Sequence, residues 1–207
     1  STALLVAVFL ILLILVTQFN AFSSPIIILT SVVLSLAGVF LGIVISRNDF
    51  VIIMTMIGII SLAGIVVNNA IVLVDYTNLI RKRKRKELDL DVNILLQNEK
   101  VKEAVIEGGK TRLRPVLLTA ITTILGLFPL ASGLNIDFFS LVREWDPKIF
   151  FGGDNVIFFK PMSLAIIYGL TFATFLTLVV VPTMYYTMYR FKIWLFQKMK
   201  WNIKIEL

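Results

Sequence analysis

The chain has 207 residues, 58% of them hydrophobic, a mean hydropathy of +0.91 and a net charge of +7. No charged side chain occurs from Ser1 to Ser46, and uncharged apolar runs of about 18 or more residues read as membrane-spanning helices, because about 20 residues cross a hydrocarbon core of roughly 30 Å. This composition excludes a soluble domain. The lack of Cys and His excludes disulfides, thiolate metal sites and any Ser–His or Cys–His nucleophile within the chain, so no enzyme is expected.

The predicted elements are five apolar helices. The first covers about Thr2 to Thr17 and is short, as if its start were cut off. Gln18 to Pro25 form a polar connection, with Pro25 at a helix entry where its missing N–H costs nothing. The second span runs from Pro25 to about Ile45. Ser46, Arg47, Asn48 and Asp49 make a turn, and the third span runs from Phe50 to about Thr77, completing a block of three helices over 1–77. A basic loop over 78–112 leads to the fourth span at 113–132. An outer loop at 133–161 leads to the fifth span, at 162–189, and an amphipathic tail fills 190–207. Transmembrane strands are not expected, because a barrel shows short alternating segments rather than unbroken apolar runs.

Charge sets the expected orientation. Of the 20 Lys and Arg, 11 lie between Arg81 and Arg114, and 5 follow Tyr189. Basic residues are retained on the cytoplasmic side, which places the 78–112 loop and the C-terminus inside and the N-terminus outside. With no initiator Met and no signal-peptide pattern, the chain reads as the C-terminal part of something larger. The positive charge needs no nucleic-acid partner. RKRKRK at 81–86 directly follows a span and reads as a topogenic anchor, with specific binding of anionic lipid as the second reading. The aromatics and lysines of YRFKIWLFQKMKWNIK, from Tyr189 on, predict a helix lying on the cytoplasmic membrane surface. The aromatic-rich 134–161 loop is expected to be ordered and to dock against a periplasmic domain or a partner.

Polar residues inside the spans are the functional signal. On a helix, Gly58, Ser61, Ile65, Asn68, Val72 and Asp75 share one face, with Gly64 and Asn69 beside it. Small residues permit close helix approach and amides hydrogen-bond across the contact, so a packing clamp is one reading of this stripe. On the fourth span Arg112, Pro115, Thr119, Thr122 and Gly126 share a face, with Thr123 adjacent. A cation, hydroxyls and amides on facing helices make a hydrated polar track, and such tracks mark ion or proton pathways. Asn68, Asn69, Arg112, Thr119 and Thr122 are the candidate relay residues. Arg114 reads as topology, and Asp75, one turn from the basic residues, as a helix-end salt bridge. A relay also needs a carboxylate that titrates, and that group is expected outside this chain.

GIVVNNAIVLVDY and the later EAVIEGGKTRLRPVLLTAITTILGLFPLA resemble the C-terminal membrane half of resistance-nodulation-division (RND) transporters. The opening FNAFSSPIIILTSVVLSLAGVFLG and the final GLTFATFLTLVVVPTMYY are similar too, so the resemblance covers residues 4–190 in order. The closest branch is the hydrophobe/amphiphile efflux pumps. The resemblance implies an all-α integral membrane protein whose five transmembrane helices are the eighth to twelfth of a twelve-helix bundle. It also implies a multi-pass inner-membrane location and proton-driven multidrug export, with the proton gradient as energy source and no cofactor. The implied partners are the N-terminal half with its membrane Asp pair, a trimeric assembly, a periplasmic adaptor and an outer-membrane channel. The family arginine falls at Arg112 and the family threonine at Thr119. The family lysine that pairs with the aspartates is replaced here by Asn68. That departure leaves room for a non-transporting membrane subunit, or for an RND-type accessory of lipid or protein translocation.

Overall fold

The computed structural model describes residues 2–19, 23–89, 96–136, 143 and 149–198. Five helices account for nearly all of them: α1 (Thr2–Phe19), α2 (Ser23–Ser46), α3 (Ile52–Glu87), α4 (Asn98–Ser132) and α5 (Asp154–Lys198). The all-α membrane class holds. Four of the helices, α2 to α5, are long and apolar enough to cross a membrane, and α1 adds a shorter apolar helix. A two-stranded ribbon joins α4 to α5, with β1 (Leu134–Ile136) antiparallel to β2 (Ile149–Phe151) and Asn135 opposite Phe150.

The helices outrun the apolar segments, and this changes three boundaries. The 78–112 stretch is not a loop, because α3 continues through RKRKRK to Glu87 and α4 resumes at Asn98. Arg, Lys and Glu are good helix formers, and Lys84, Arg85 and Lys86 in the last turn complement the negative end of the helix dipole. With 36 residues, α3 is about 54 Å long rather than the 42 Å of its apolar part. It stops where Asp89 takes a left-handed conformation, φ 50°, which aspartate tolerates better than most residues. The outer loop is likewise shorter than expected, since α5 begins at Asp154 rather than near residue 162. Gly133, at φ 82°, ends α4, and its carbonyl accepts from the Gly152 N–H at 2.9 Å, which closes the ribbon. Eleven residues of the predicted docking loop, 137–142 and 144–148, lie outside the described residues. The tail prediction also changes. Residues 190–198 continue α5 without a break, with Phe191 stacked on Trp194 at 5.8 Å and Lys198 5.0 Å over the Trp194 ring. A separate surface helix starting at Tyr189 is therefore not what these residues form.

The chain divides into two compact units. Unit 1 comprises 1–32, 67–116 and 175–207, and unit 2 comprises 33–66 and 117–174. In unit 2, glycines bring helices into contact. A Cβ added at Gly58 of α3 would lie 2.8 Å from the Met162 carbonyl oxygen and 3.1 Å from the Ala165 methyl of α5. Gly38 and Gly42 of α2 lie directly against Phe172 and Tyr168, and Gly169 of α5 against Leu62 and Val39. Close approach through small residues replaces the hydrophobic effect as the packing device in lipid. Asn48, in the α2–α3 turn, donates to Ser46 Oγ at 2.8 Å and to the Tyr168 hydroxyl at 3.3 Å.

Unit 1 buries Leu15, Ile27, Ile28, Leu73, Leu96 and Val101 and adds polar contacts between helices. The Tyr185 hydroxyl of α5 donates to Asn78 Oδ1 of α3, and the Tyr189 hydroxyl donates to the Leu96 carbonyl at 2.7 Å. Lys84 of α3 pairs with Glu103 of α4 at 2.7 Å. Gly108 of α4 leaves no room beyond the Thr77 hydroxyl, 2.8 Å from where its Cβ would be.

Candidate functional site

The predicted stripes are partly covered and partly open in the described chain. In unit 1, Asn68 and Asp75 of α3 are exposed, Val72 is half-buried and Asn69 is buried. The two adjacent amides therefore have different environments, as a 100° step around a helix requires. In unit 2, Gly58 is buried at the α5 contact, whereas Ser61 of the same stripe and Gly64 beside it are exposed. Among the described residues, nothing lies within 4 Å of a Cβ added at Gly64.

On α4, Pro115 and Arg114 are exposed in unit 1, and Thr119, Thr122 and Gly126 are exposed in unit 2. Only 17% of the apolar stretch of α4 is buried, against 56% for α3. The Thr122 hydroxyl donates to the Leu118 carbonyl at 2.8 Å, and that of Thr123 to the Thr119 carbonyl at 2.8 Å. Back-bonding to the preceding turn satisfies a hydroxyl donor without any neighbour, while each oxygen remains able to accept.

Arg112 has a partner on another helix. Its guanidinium carbon stands 4.3 Å from the centroid of the Tyr76 ring, a cation–π contact between α4 and α3. Its Nε is buried and has no hydrogen-bond partner among the described residues. A buried donor left unsatisfied costs about 1–3 kcal/mol. Tyr76 lies eight residues beyond Asn68, about 12 Å along the helix. Arg112 is thus brought to Tyr76 rather than to the paired amides. Periodicity gave no warning of Tyr76, because the contact depends on how α3 and α4 align.

Among the described residues, no cluster of three or more acidic side chains offers a metal site, and the sequence has no Cys or His to add. Unit 1 thus presents the open Asn68 face of α3 and the Arg112 cation of α4, and unit 2 presents the open threonine face of α4. Such faces are able to hold water or to pair with groups on further helices.

Comparison with known proteins gives the following. A family model described as the AcrB/AcrD/AcrF family matches residues 1–135. The swarming motility protein SwrC of Bacillus subtilis is 35% identical over 92% of this chain, which spans 15% of that protein. The multidrug resistance protein MdtC of Erwinia tasmaniensis is 25% identical over 81% of the chain and 13% of its own length. A crystal structure of a heavy metal efflux pump superposes with a TM-score of 0.64 at 26% identity, covering 87% of this chain and 14% of that one.

Proposed function

This chain belongs to the AcrB/AcrD/AcrF family, a multi-pass membrane segment of an RND transporter, and on that premise we propose that it carries part of the proton relay of an exporter of hydrophobic or amphiphilic compounds. The observation that carries the reading is Arg112. It heads the α4 stripe, it is braced on Tyr76, and its buried Nε lacks an acceptor among the described residues. The side chain is only half-buried, so its terminal N–H groups are within reach of a carboxylate on a helix outside this segment, and an Arg–carboxylate contact is the kind of pair whose making and breaking follows protonation. Asn68, Thr119 and Thr122 line the open faces that such a helix would cover, with the amide and hydroxyls holding water between fixed and titrating charges, while Asn69 is buried within this chain and supports the seam from behind.

The transporter sits in the bacterial inner membrane with the RKRKRK end of α3 in the cytoplasm, as basic residues favour. Its implied assembly is a trimer with an adaptor and an outer-membrane channel. Cargo is chosen outside this segment. The relatives' names cover multidrug resistance and heavy metal efflux. Amphiphile export is favoured here on the resemblance of GIVVNNAIVLVDY and the RLRP run to that branch of the family.

The test is Arg112→Ala in the full transporter, followed by export of a fluorescent amphiphile under an imposed proton gradient. Export should fall to background while the protein still assembles. Full activity of the variant would end the relay reading and favour a structural role for this segment.

A further inference from the structure

Unit 1 carries an open cleft of about 430 Å³, within the range of small-molecule sites, and it is strongly basic. Arg81, Lys82 and Arg85 of α3 and Lys192 of α5 line it, with Asp75 as the facing carboxylate. Four cations against one anion favour an anionic guest. The RKRKRK run is not a uniform charge cloud, because its helix sorts the residues. Arg81, Lys82 and Arg85 turn to the cleft, Lys84 pairs with Glu103, and Arg83 is exposed away from the cleft.

Two of these cations are prepared for a ligand. The Arg81 guanidinium stands 5.9 Å from the Tyr185 ring centroid and 5.8 Å from that of Tyr189. Both tyrosine hydroxyls are engaged elsewhere, on Asn78 and on the Leu96 carbonyl, so the rings are held in place. Cation–π contacts occupy the faces of the guanidinium and spare its N–H donors, which fit phosphate oxygens bidentately. Arg85 Nε is buried with no hydrogen-bond partner among the described residues, a donor awaiting an acceptor. Ser23 and Ser24 add hydroxyls at the start of α2, while Phe19, Ile27 and Met188 supply an apolar wall.

We propose that this cleft binds the phosphodiester headgroup of an anionic lipid of the cytoplasmic leaflet. The phosphate meets Arg81 and Arg85, and the glycerol and first acyl carbons run along the apolar wall. A free phosphate uses the cations but has nothing to place against Phe19, Ile27 and Met188. The cleft also lies where the apolar part of α3 gives way to its basic end, the depth of lipid headgroups. This inference rests on charge and geometry in unit 1 and stands apart from the relay.

The test reconstitutes the full chain in phosphatidylcholine nanodiscs containing a minor fraction of phosphatidylglycerol, then counts retained lipid by native mass spectrometry after detergent extraction. The parent and Arg83→Gln should each retain a phosphatidylglycerol. Arg85→Gln and Arg81→Gln should retain at least about fivefold less, the equivalent of about 1 kcal/mol per basic residue near a membrane. If Arg81→Gln does not fold, Lys82→Gln, exposed at the rim, makes the same comparison. Equal loss in Arg83→Gln, or no phosphatidylglycerol on the parent, overturns the proposal. Displacement of the lipid by millimolar inorganic phosphate reassigns the site to a soluble anion and overturns the lipid assignment.

Discussion

Arg112 and Arg114 show how two basic residues two positions apart diverge. They lie 200° apart around α4, and only Arg112 meets an aromatic face and buries its Nε. Arg114 is exposed and free to extend to headgroups. Arg114→Ala is therefore expected to keep near-parental export in the assay that Arg112→Ala fails. Tyr76→Phe should be mild, since the ring face remains, while Tyr76→Ala should lower the thermal midpoint by removing a contact of about 0.5–2 kcal/mol. Asn68→Lys probes what faces the open stripe of α3. Opposite a carboxylate pair, the ammonium is paired and the variant should express and export. Facing hydrocarbon, the same ammonium costs about 2.5–3.5 kcal/mol, and expression should collapse.

At the scale of helices, the glycines divide into contact and open positions. Gly58→Ala forces a methyl to 2.8 Å from the Met162 carbonyl, so about 1–3 kcal/mol of stability should be lost to overpacking. Gly64→Ala meets nothing within 4 Å among the described residues and should gain up to about 1 kcal/mol from helix propensity. Thermal unfolding of both variants in one detergent compares them. A Gly64→Ala variant that is stable as an isolated segment but loses export in the full transporter would mean that another helix packs there. The composition of the stripe revealed small residues at helical spacing, but not which of them touches a neighbour. Periodicity sets Gly58 and Gly64 about 120° apart on α3, but only the path of α5 past Met162 and Ala165 shows which of the two faces is covered.

For the molecule as a whole, the arrangement of charge predicts sidedness. The chain has no native Cys, so single cysteines report position without background. Asp49→Cys, in the exposed turn between α2 and α3, should react with an impermeant maleimide from the outside of intact spheroplasts. Lys86→Cys, exposed at the basic end of α3, should react only after permeabilisation. Reaction of both from one side would contradict the alternating path of the helices.

The class of this protein was legible from Ser1 to Ser46 and from the later apolar runs, because the cost of burying charge in hydrocarbon is written residue by residue. The polar faces of α3 and α4 were equally legible, since helical periodicity alone brings Asn68 and Asp75, or Thr119 and Thr122, to one side. Helix ends were not. Apolar length measures the membrane, whereas Arg81 to Glu87 stay helical in water because their propensity and the helix dipole both favour it. Nor was any partner across helices legible. Tyr76 beneath Arg112, and the two tyrosines flanking Arg81, come from residues far apart in the chain. Their meeting depends on the axial alignment of α3 with α4 and α5, which close contacts at Thr77–Gly108 and Asn78–Tyr185 set. Periodicity assigns a residue to a face of its own helix, and packing alone decides what stands opposite.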